Sequence, residues 1–361
     1  MEVGIVGLPL AGKTTIYNAL THSKAQTASF STGQYEVHTA VIDVPDPRVE
    51  ALARLFNPRK TTRAKIQFND ISGVAKGRAE GGGLDAQALA TLARCDALLG
   101  VVRAFEDDQV PHPEGSIGPA RDLRTLRTEL LLSDLLIVER RIERIQVGLQ
   151  KARGSEAPLL QRELALMGRL QQELEGEKPI SDLELSEEEA LLIRSYQFLS
   201  AKPMMVVINQ GEGDDPALDL SWANHHRRSS ALALRGSLEM EIAQLPAEEM
   251  TPFLEGYGIA EPSLNLMVRE CYHLLGLMSF LTTGEDECRA WTVRRGATAV
   301  EAAGAIHSDL ARGFIRAEVL AYEEMVACVT LAEARRRGLL RLEGKDYVVR
   351  DGDILNIRFN V

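Results

Sequence analysis

The sequence predicts an α/β protein on a parallel sheet, with a long helical hairpin inserted and a β-rich region at the end. Three observations carry that expectation. Short apolar strands alternate with helical patterns from residue 2 to residue 234, a glycine-rich loop joins the first strand to the first helix, and two heptad-like stripes occupy residues 131–174.

Residues 2–6, EVGIV, form the first strand candidate, and GLPLAGKTT, Gly7 to Thr15, follows at once. The pattern is G-x-x-x-x-G-K-[ST], with a helical pattern after it in Ile16, Tyr17, Ala19 and Leu20. Glycines let successive backbone N–H groups curl around phosphate oxygens, and the next helix points its positive end at them. Gly7, Leu10, Ala11, Gly12, Lys13, Thr14 and Thr15 are therefore the expected phosphate cradle. Lys13 reaches the β- and γ-phosphates, and the Thr14 hydroxyl serves Mg²⁺.

The second strand candidate, AKIQFNDISG at 64–73, places Asp70 and Gly73 in D-x-x-G spacing. An Asp at that strand end can hold Mg²⁺ through water, while the Gly73 N–H senses the γ-phosphate. Alone, D-x-x-G is a common turn. Its order gives it meaning, because ALLGVV (97–102), MMVVIN (204–209) and SALAL (230–234) continue the alternation of a parallel sheet with phosphate chemistry at its carboxyl edge.

MMVVIN ends in Asn209-Gln210-Gly211-Glu212. A guanine reader uses N-K-x-D, whose short carboxylate accepts from both N1–H and the 2-amino group. Here Gln210 replaces the Lys and Glu212 the Asp, so the carboxylate moves by a methylene and the fork to guanine loses its fit. Asn209 can still meet the purine through its amide. The expectation is a site that takes ATP at least as well as GTP.

From Pro119 to Ala152 the pattern is helical, with a stripe through Leu131, Leu135, Val138, Ile142, Ile145 and Leu149. ARGSEAP (152–158) breaks it, and Leu160, Leu164, Met167 and Leu174 resume it. An antiparallel hairpin follows, its first helix roughly 50 Å long. Arg140, Arg141, Arg144, Lys151, Arg153, Arg162 and Arg169 bias it basic, with Glu139, Glu143 and Glu163 interleaved. The bias is either a solvated face or an RNA contact. The last 85 or so residues alternate β-like stretches (RAWTV, IRAEVLA, YVVRDGDILNIRF) with short helical patterns. His307 and Asp309 there carry no catalytic constellation, and His225-His226 reads as loop.

The chain has 361 residues, 45% hydrophobic and 26% charged, which suits two or three soluble domains. MEVGIVGLPL lacks the basic flank of a signal peptide, and no apolar run approaches the roughly 20 residues that cross a bilayer. Four scattered cysteines without CxxC spacing fit reduced thiols and a cytoplasmic setting. A formal charge of −11 argues against nucleic-acid binding over the whole surface but leaves a local basic face open.

GLPLAGKTT, VPDPR (44–48), DISGVAKGRAEGGGL (70–84), CDALLGVVRAFEDD (95–108) and NQGE resemble the YchF/Obg-like ATPases, as do RAWTV (289–293), GATAVEAAGAIHSDLARGFIRAEVLAY (296–322) and RLEGKDYVVRDGDILNIRFNV (341–361). The resemblance covers almost the whole chain. It implies a P-loop NTPase G domain (1–125 and 199–276), an inserted antiparallel coiled-coil arm (126–198) and a C-terminal TGS domain of β-grasp type (277–361). It also implies slow hydrolysis of ATP, and of GTP in many members, with ribosome association through the arm or TGS domain. His112, in VPHPEG, matches a family histidine on a mobile loop proposed to position the attacking water; the alternative is a plain loop histidine.

Three departures weaken the pattern. Leu10 stands where the family has Asn, a plausible monovalent-cation ligand. The switch I threonine falls on Gln34, with Thr32 two residues away, and Val74 follows the D-x-x-G where many G proteins have Gln. The expectation is a monomeric cytoplasmic hydrolase, with no membrane attachment. The alternatives are a nucleotide-binding regulatory module with negligible hydrolysis and a GTP-specific GTPase.

Overall fold

The computed structural model describes residues 1–21, 37–71, 84–213 and 218–360. Strand β1 (Glu2–Val6) runs into the glycine-rich loop, and α1 (Lys13–Thr21) follows with Ile16, Tyr17, Ala19 and Leu20 buried. After β2 (His38–Asp43), α2 (Pro47–Phe56) starts where Pro47 pre-sets a first-turn dihedral and Asp46 accepts the Arg48 N–H at 3.0 Å. Strands β3 (Lys60–Thr62) and β4 (Lys65–Asp70) come next. Helix α3 (Ala86–Arg94), capped by Asp85, then precedes β5 (Ala97–Arg103), in which every residue is buried.

The hairpin is α4 (Pro119–Leu149) and α5 (Glu156–Glu175), with α6 (Glu187–Ile193) at its return. Contacts between Arg141 and Glu163, and the approach of Gly148 to Leu160, make the pair antiparallel. Val138 and Ile145 from the first stripe are fully buried, as are Met167 and Leu170; Leu166 and Leu174 are nearly so. Leu166 and Leu170 were absent from the expected stripe, which followed single i, i+4 and i, i+3 steps instead of a wider apolar face. The helix also begins inside the expected break, because Pro158 is tolerated in a first turn.

Strands β6 (Met204–Asn209) and β7 (Ser229–Leu234) lead to α7 (Gly236–Gln244), α8 (Ala247–Gly256) and α9 (Ser263–Leu274). The first sheet has the order β2-β4-β1-β5-β6-β7, and β4, β1, β5, β6 and β7 run parallel. That order brings the carboxyl ends of β1, β5 and β6 side by side.

The remaining elements are β8 (Leu277–Thr282), β9 (Glu287–Arg294), α10 (Ala299–Ile306), α11 (Ser308–Arg312), β10 (Phe314–Ala321), α12 (Tyr322–Cys328), α13 (Leu331–Arg336), β11 (Arg341–Glu343) and β12 (Asp353–Phe359). They form a sheet of order β11-β10-β12-β8-β9-β3, whose first and last long strands, β8 and β12, pair in parallel at its centre. Ala299, Ala302 and Ala303 of α10 pack with Phe280, Val319 and Leu355 against this sheet, the β-grasp arrangement. YVV at 347–349 is not a strand: it holds by an isolated bridge from Val348 to Thr298 and by the Val349 N–H on the Ala297 carbonyl. Gly352, at φ 87°, makes the turn into β12.

Two compact units result, Met1–Ala40 with Gln67–Met267, and Val41–Ile66 with Val268–Val361. In the second, β3 pairs in parallel with β9, and Arg48 bridges Asp46 at 2.8 Å and Asp351 at 3.1 Å. His307 accepts the Asp309 N–H and caps α11, a structural task. Among the described residues no helix is long and apolar enough to cross a membrane.

Candidate nucleotide site

The loop after β1 is shaped by contacts that only glycine permits at two points. A Cβ on Gly7 would lie 2.3 Å from the Val101 carbonyl oxygen, and one on Gly12, at φ 91°, 2.2 Å from Asn209 Nδ2. Leu10 also takes a left-handed backbone, φ 64°. That conformation costs a leucine of order 1–2 kcal/mol, whereas Asn adopts it more readily. The Asn that the resemblance leads one to expect at this position would suit this backbone better than Leu10 does.

Lys13 folds back over the loop, donating through Nζ to the Gly7 carbonyl at 3.0 Å and the Leu8 carbonyl at 2.9 Å. Burial pushes its pKa below the ordinary lysine range, opposed by the nearby Asp70 carboxylate. Thr14 Oγ1 lies 3.4 Å from Asp70 Oδ2, and Asp70 is fully buried at the end of β4. A hydroxyl and a carboxylate beside a phosphate loop are hard oxygen donors, a set that fits Mg²⁺ and not a soft metal. Among the described residues no cluster of three or more His, Cys, Asp or Glu side chains could hold a metal by itself.

Asn209 stands in the middle. Its Nδ2 donates to the Ala11 carbonyl at 3.1 Å, and its Oδ1 accepts from the Gly236 N–H at 3.0 Å. The side chain expected to read the base thus also struts the phosphate loop against the start of α7. Gln210 is buried, its N–H on the Leu234 carbonyl at 2.8 Å, and Glu212 is exposed in the turn that follows. Gly73 lies outside the described residues, as do Val74, Gln34 and Thr32.

His112 belongs to the loop leaving β5. Its Nδ1 accepts the Glu114 N–H at 3.1 Å and its Nε2 lies 2.9 Å from Asp122 Oδ2, with the ring side chain only 5% exposed. With Nδ1 accepting, the proton sits on Nε2 and points at Asp122. The ring is stowed between its own loop and Asp122 of α4.

Sequence reasoning missed three contributors. Gly236, where a Cβ would come 2.6 Å from Asn209 Oδ1, is needed for the strut. Buried Arg103 donates to the carbonyls of Phe105 and Val110 and lies 4.5 Å from the Phe105 ring centroid, pinning the loop that bears His112. Phe105 approaches the Gly12 position. The signal for Gly236 was available as a strand ending at Leu234 followed by a glycine and a helix. An Arg at the end of a wholly apolar strand was the signal for Arg103.

Two family models match, the YchF-GTPase C-terminal family, described as a protein of unknown function, over residues 277–360, and the 50S ribosome-binding GTPase family over 2–129. The ribosome-binding ATPase YchF of Bacillus subtilis (strain 168) is 39% identical over 368 residues, with all of both chains covered. The chain belongs to the YchF family. The YchF of Haemophilus influenzae, also named a ribosome-binding ATPase, is 41% identical, covering 100% of this chain and 99% of that one. The solved structure of the Schizosaccharomyces pombe YchF GTPase superposes with a TM-score of 0.86 at 30% identity, covering 99% of this chain and 97% of that chain. YchF membership accords with the P-loop G domain, the long arm and the C-terminal domain described above.

Proposed function

We propose that this YchF-family chain is a slow, ribosome-associated ATPase. The observation that carries the reading is the Lys13–Thr14–Asp70 group at the carboxyl edge of the sheet, braced by Asn209. Lys13 sits on the loop carbonyls where β- and γ-phosphate oxygens would displace it, and the loop N–H groups supply the rest of the cradle. Thr14 and Asp70 would hold Mg²⁺, which when bound neutralises charge on the bridging phosphates. Gly73 is assigned as the γ-phosphate sensor by its spacing.

Turnover is slow in this reading for two physical reasons. Val74 cannot hydrogen-bond a water, and His112 starts from a stowed position. His112 is the proposed water-positioning group once it leaves Asp122. The same stowed ring favours the second reading, a nucleotide-binding regulatory module with negligible hydrolysis. Ribosome association is carried over from the names of the relatives, with the exposed Arg140 and Arg144 of the arm as proposed contacts.

Adenine is favoured over guanine because Glu212 and Gln210 replace the Asp and Lys of a guanine reader. Loss of a carboxylate fork removes bonds worth about 1.5–3 kcal/mol each. A paired calorimetric titration with ATP and GTP tests the assignment, repeated on Gln210→Lys combined with Glu212→Asp. The parent is expected to bind ATP at least as tightly as GTP, and the double variant to shift toward GTP. A parent that clearly prefers GTP would make the protein a GTPase.

A further inference from the structure

A second cleft lies at the opposite edge of the first sheet, at the amino ends of β5, β6 and β7, where the arm joins the G domain. It is open on one side, and the space between its walls, part of it open solvent, amounts to about 480 Å³. Leu98, Leu130 and Met204 give it an apolar floor, while Arg127, Lys202 and Arg228 line it with positive charge against a single carboxylate, Glu177.

Arg127 is the informative group. Among the described residues only one of its five N–H donors is taken, Nη2 on the Ala223 carbonyl at 2.8 Å, and no carboxylate lies within ion-pair distance, Asp182 acting on it from farther off. Burial nonetheless holds its pKa down at about 10. A guanidinium half withdrawn from water with most donors uncommitted is costly unless something anionic meets it. Lys202 spends two of its three donors on the Ala93 and Cys95 carbonyls. His226 turns Nδ1 to Asp182 at 2.7 Å, and burial lowers its pKa against the pull of that carboxylate.

We propose that this cleft binds a small amphipathic organic anion, its carboxylate, sulfonate or phosphate head on Arg127 and its apolar body over Leu98, Leu130 and Met204. Because the walls come from α4, from the segment that returns from the arm and from the sheet edge, the ligand would fasten the arm's root to the G domain. The site is separate from the phosphate loop and does not depend on the assignment of ATP.

The test uses the full chain and octanoate as probe, with octylammonium and 1-octanol as controls of equal apolar length. Octanoate is expected to raise the unfolding temperature saturably and to give a calorimetric Kd, while octylammonium and octanol bind at least about tenfold more weakly. Arg127→Met and Arg228→Gln should each weaken octanoate at least about fivefold, and Met204→Phe should block it by filling the floor. Arg124→Met, an exposed position on the same helix, should leave it unchanged. If Arg127→Met fails to fold, Arg228→Gln and Met204→Phe carry the test, with hydrogen exchange reading protection at 127–131 and 199–204. Equal binding of octylammonium, indifference to these variants, or no saturable binding up to about 10 mM would overturn the proposal.

Discussion

The left-handed Leu10 and the folded-back Lys13 show how single residues set the phosphate loop. Lys13→Ala removes the cation that the loop holds for phosphate, so ATP affinity should fall at least tenfold, about 1.4 kcal/mol, in calorimetry. Unchanged affinity would remove the loop from the binding site. Leu10→Asn relieves an unfavourable backbone without touching the core, and should raise unfolding stability by about 0.5–1 kcal/mol in urea melts. A loss of stability would mean that the Leu10 side chain packs better than its backbone suggests. The grouping of Lys13, Thr14 and Asp70 was legible in the sequence from the two motifs at the ends of β1 and β4. Asn209 was legible only as a polar end to a strand. Its bonds to Ala11 and Gly236 join residues 198 and 27 positions away, and such partners follow from the fold alone.

At the scale of elements, the arm separates what packs from what is free to bind. Arg141 is engaged by Glu163, with Tyr196 on the same carboxylate at 2.7 Å, and Arg169 pairs with Glu189 at 3.1 Å. Arg140, Arg144, Arg153 and Arg162 are exposed and form no ion pair among the described residues. The basic bias therefore divides, and Arg141 belongs to the hairpin's own structure. Charge reversal of Arg140 and Arg144 together should weaken co-sedimentation with ribosomes severalfold, and the parent's association should fall steeply with salt. Indifference to both would leave the arm a solvated face.

The root of the arm carries a pH signature as well. Asp134 is fully buried, accepting the Leu199 and Ser200 N–H groups at 2.8 and 2.7 Å, and burial raises its pKa to about 6. The raised value means that the folded state binds the proton more tightly than the unfolded one. Stability contributed by this group is therefore fully present below about pH 4 and falls as pH rises to about 6, by up to about 3 kcal/mol. Asp134→Asn cannot titrate, so the stability of the parent relative to this variant should decline across that window. A flat difference would show that the carboxylate is fully compensated by its two N–H donors.

Across the whole molecule, the alternation of strands and helices made the parallel sheet readable, and the heptad stripes made the hairpin readable, since both periods act locally. The grouping of Val41–Ile66 with Val268–Val361 was not readable. It rests on β3 pairing with β9 and on Arg48 meeting Asp351, contacts more than 200 residues apart in sequence that leave no periodic trace. Gly352 supports the same junction, since a Cβ there would lie 2.6 Å from Arg48 Nη1 on a backbone at φ 87°. Gly352→Ala should accordingly cost about 1–3 kcal/mol in chemical unfolding, and a neutral result would mean that Arg48 moves aside freely.

In the proposed function the Lys13 loop binds ATP and the same site slowly releases phosphate from it. Single-turnover phosphate release from ATP, with enzyme in excess, tests this most directly when the parent is compared with Lys13→Ala and His112→Ala. Slow release is expected of the parent, none of Lys13→Ala, and reduced release with nearly unchanged ATP affinity of His112→Ala. No release by the parent over hours, despite saturating binding, would contradict the hydrolase and leave a nucleotide-binding regulatory module.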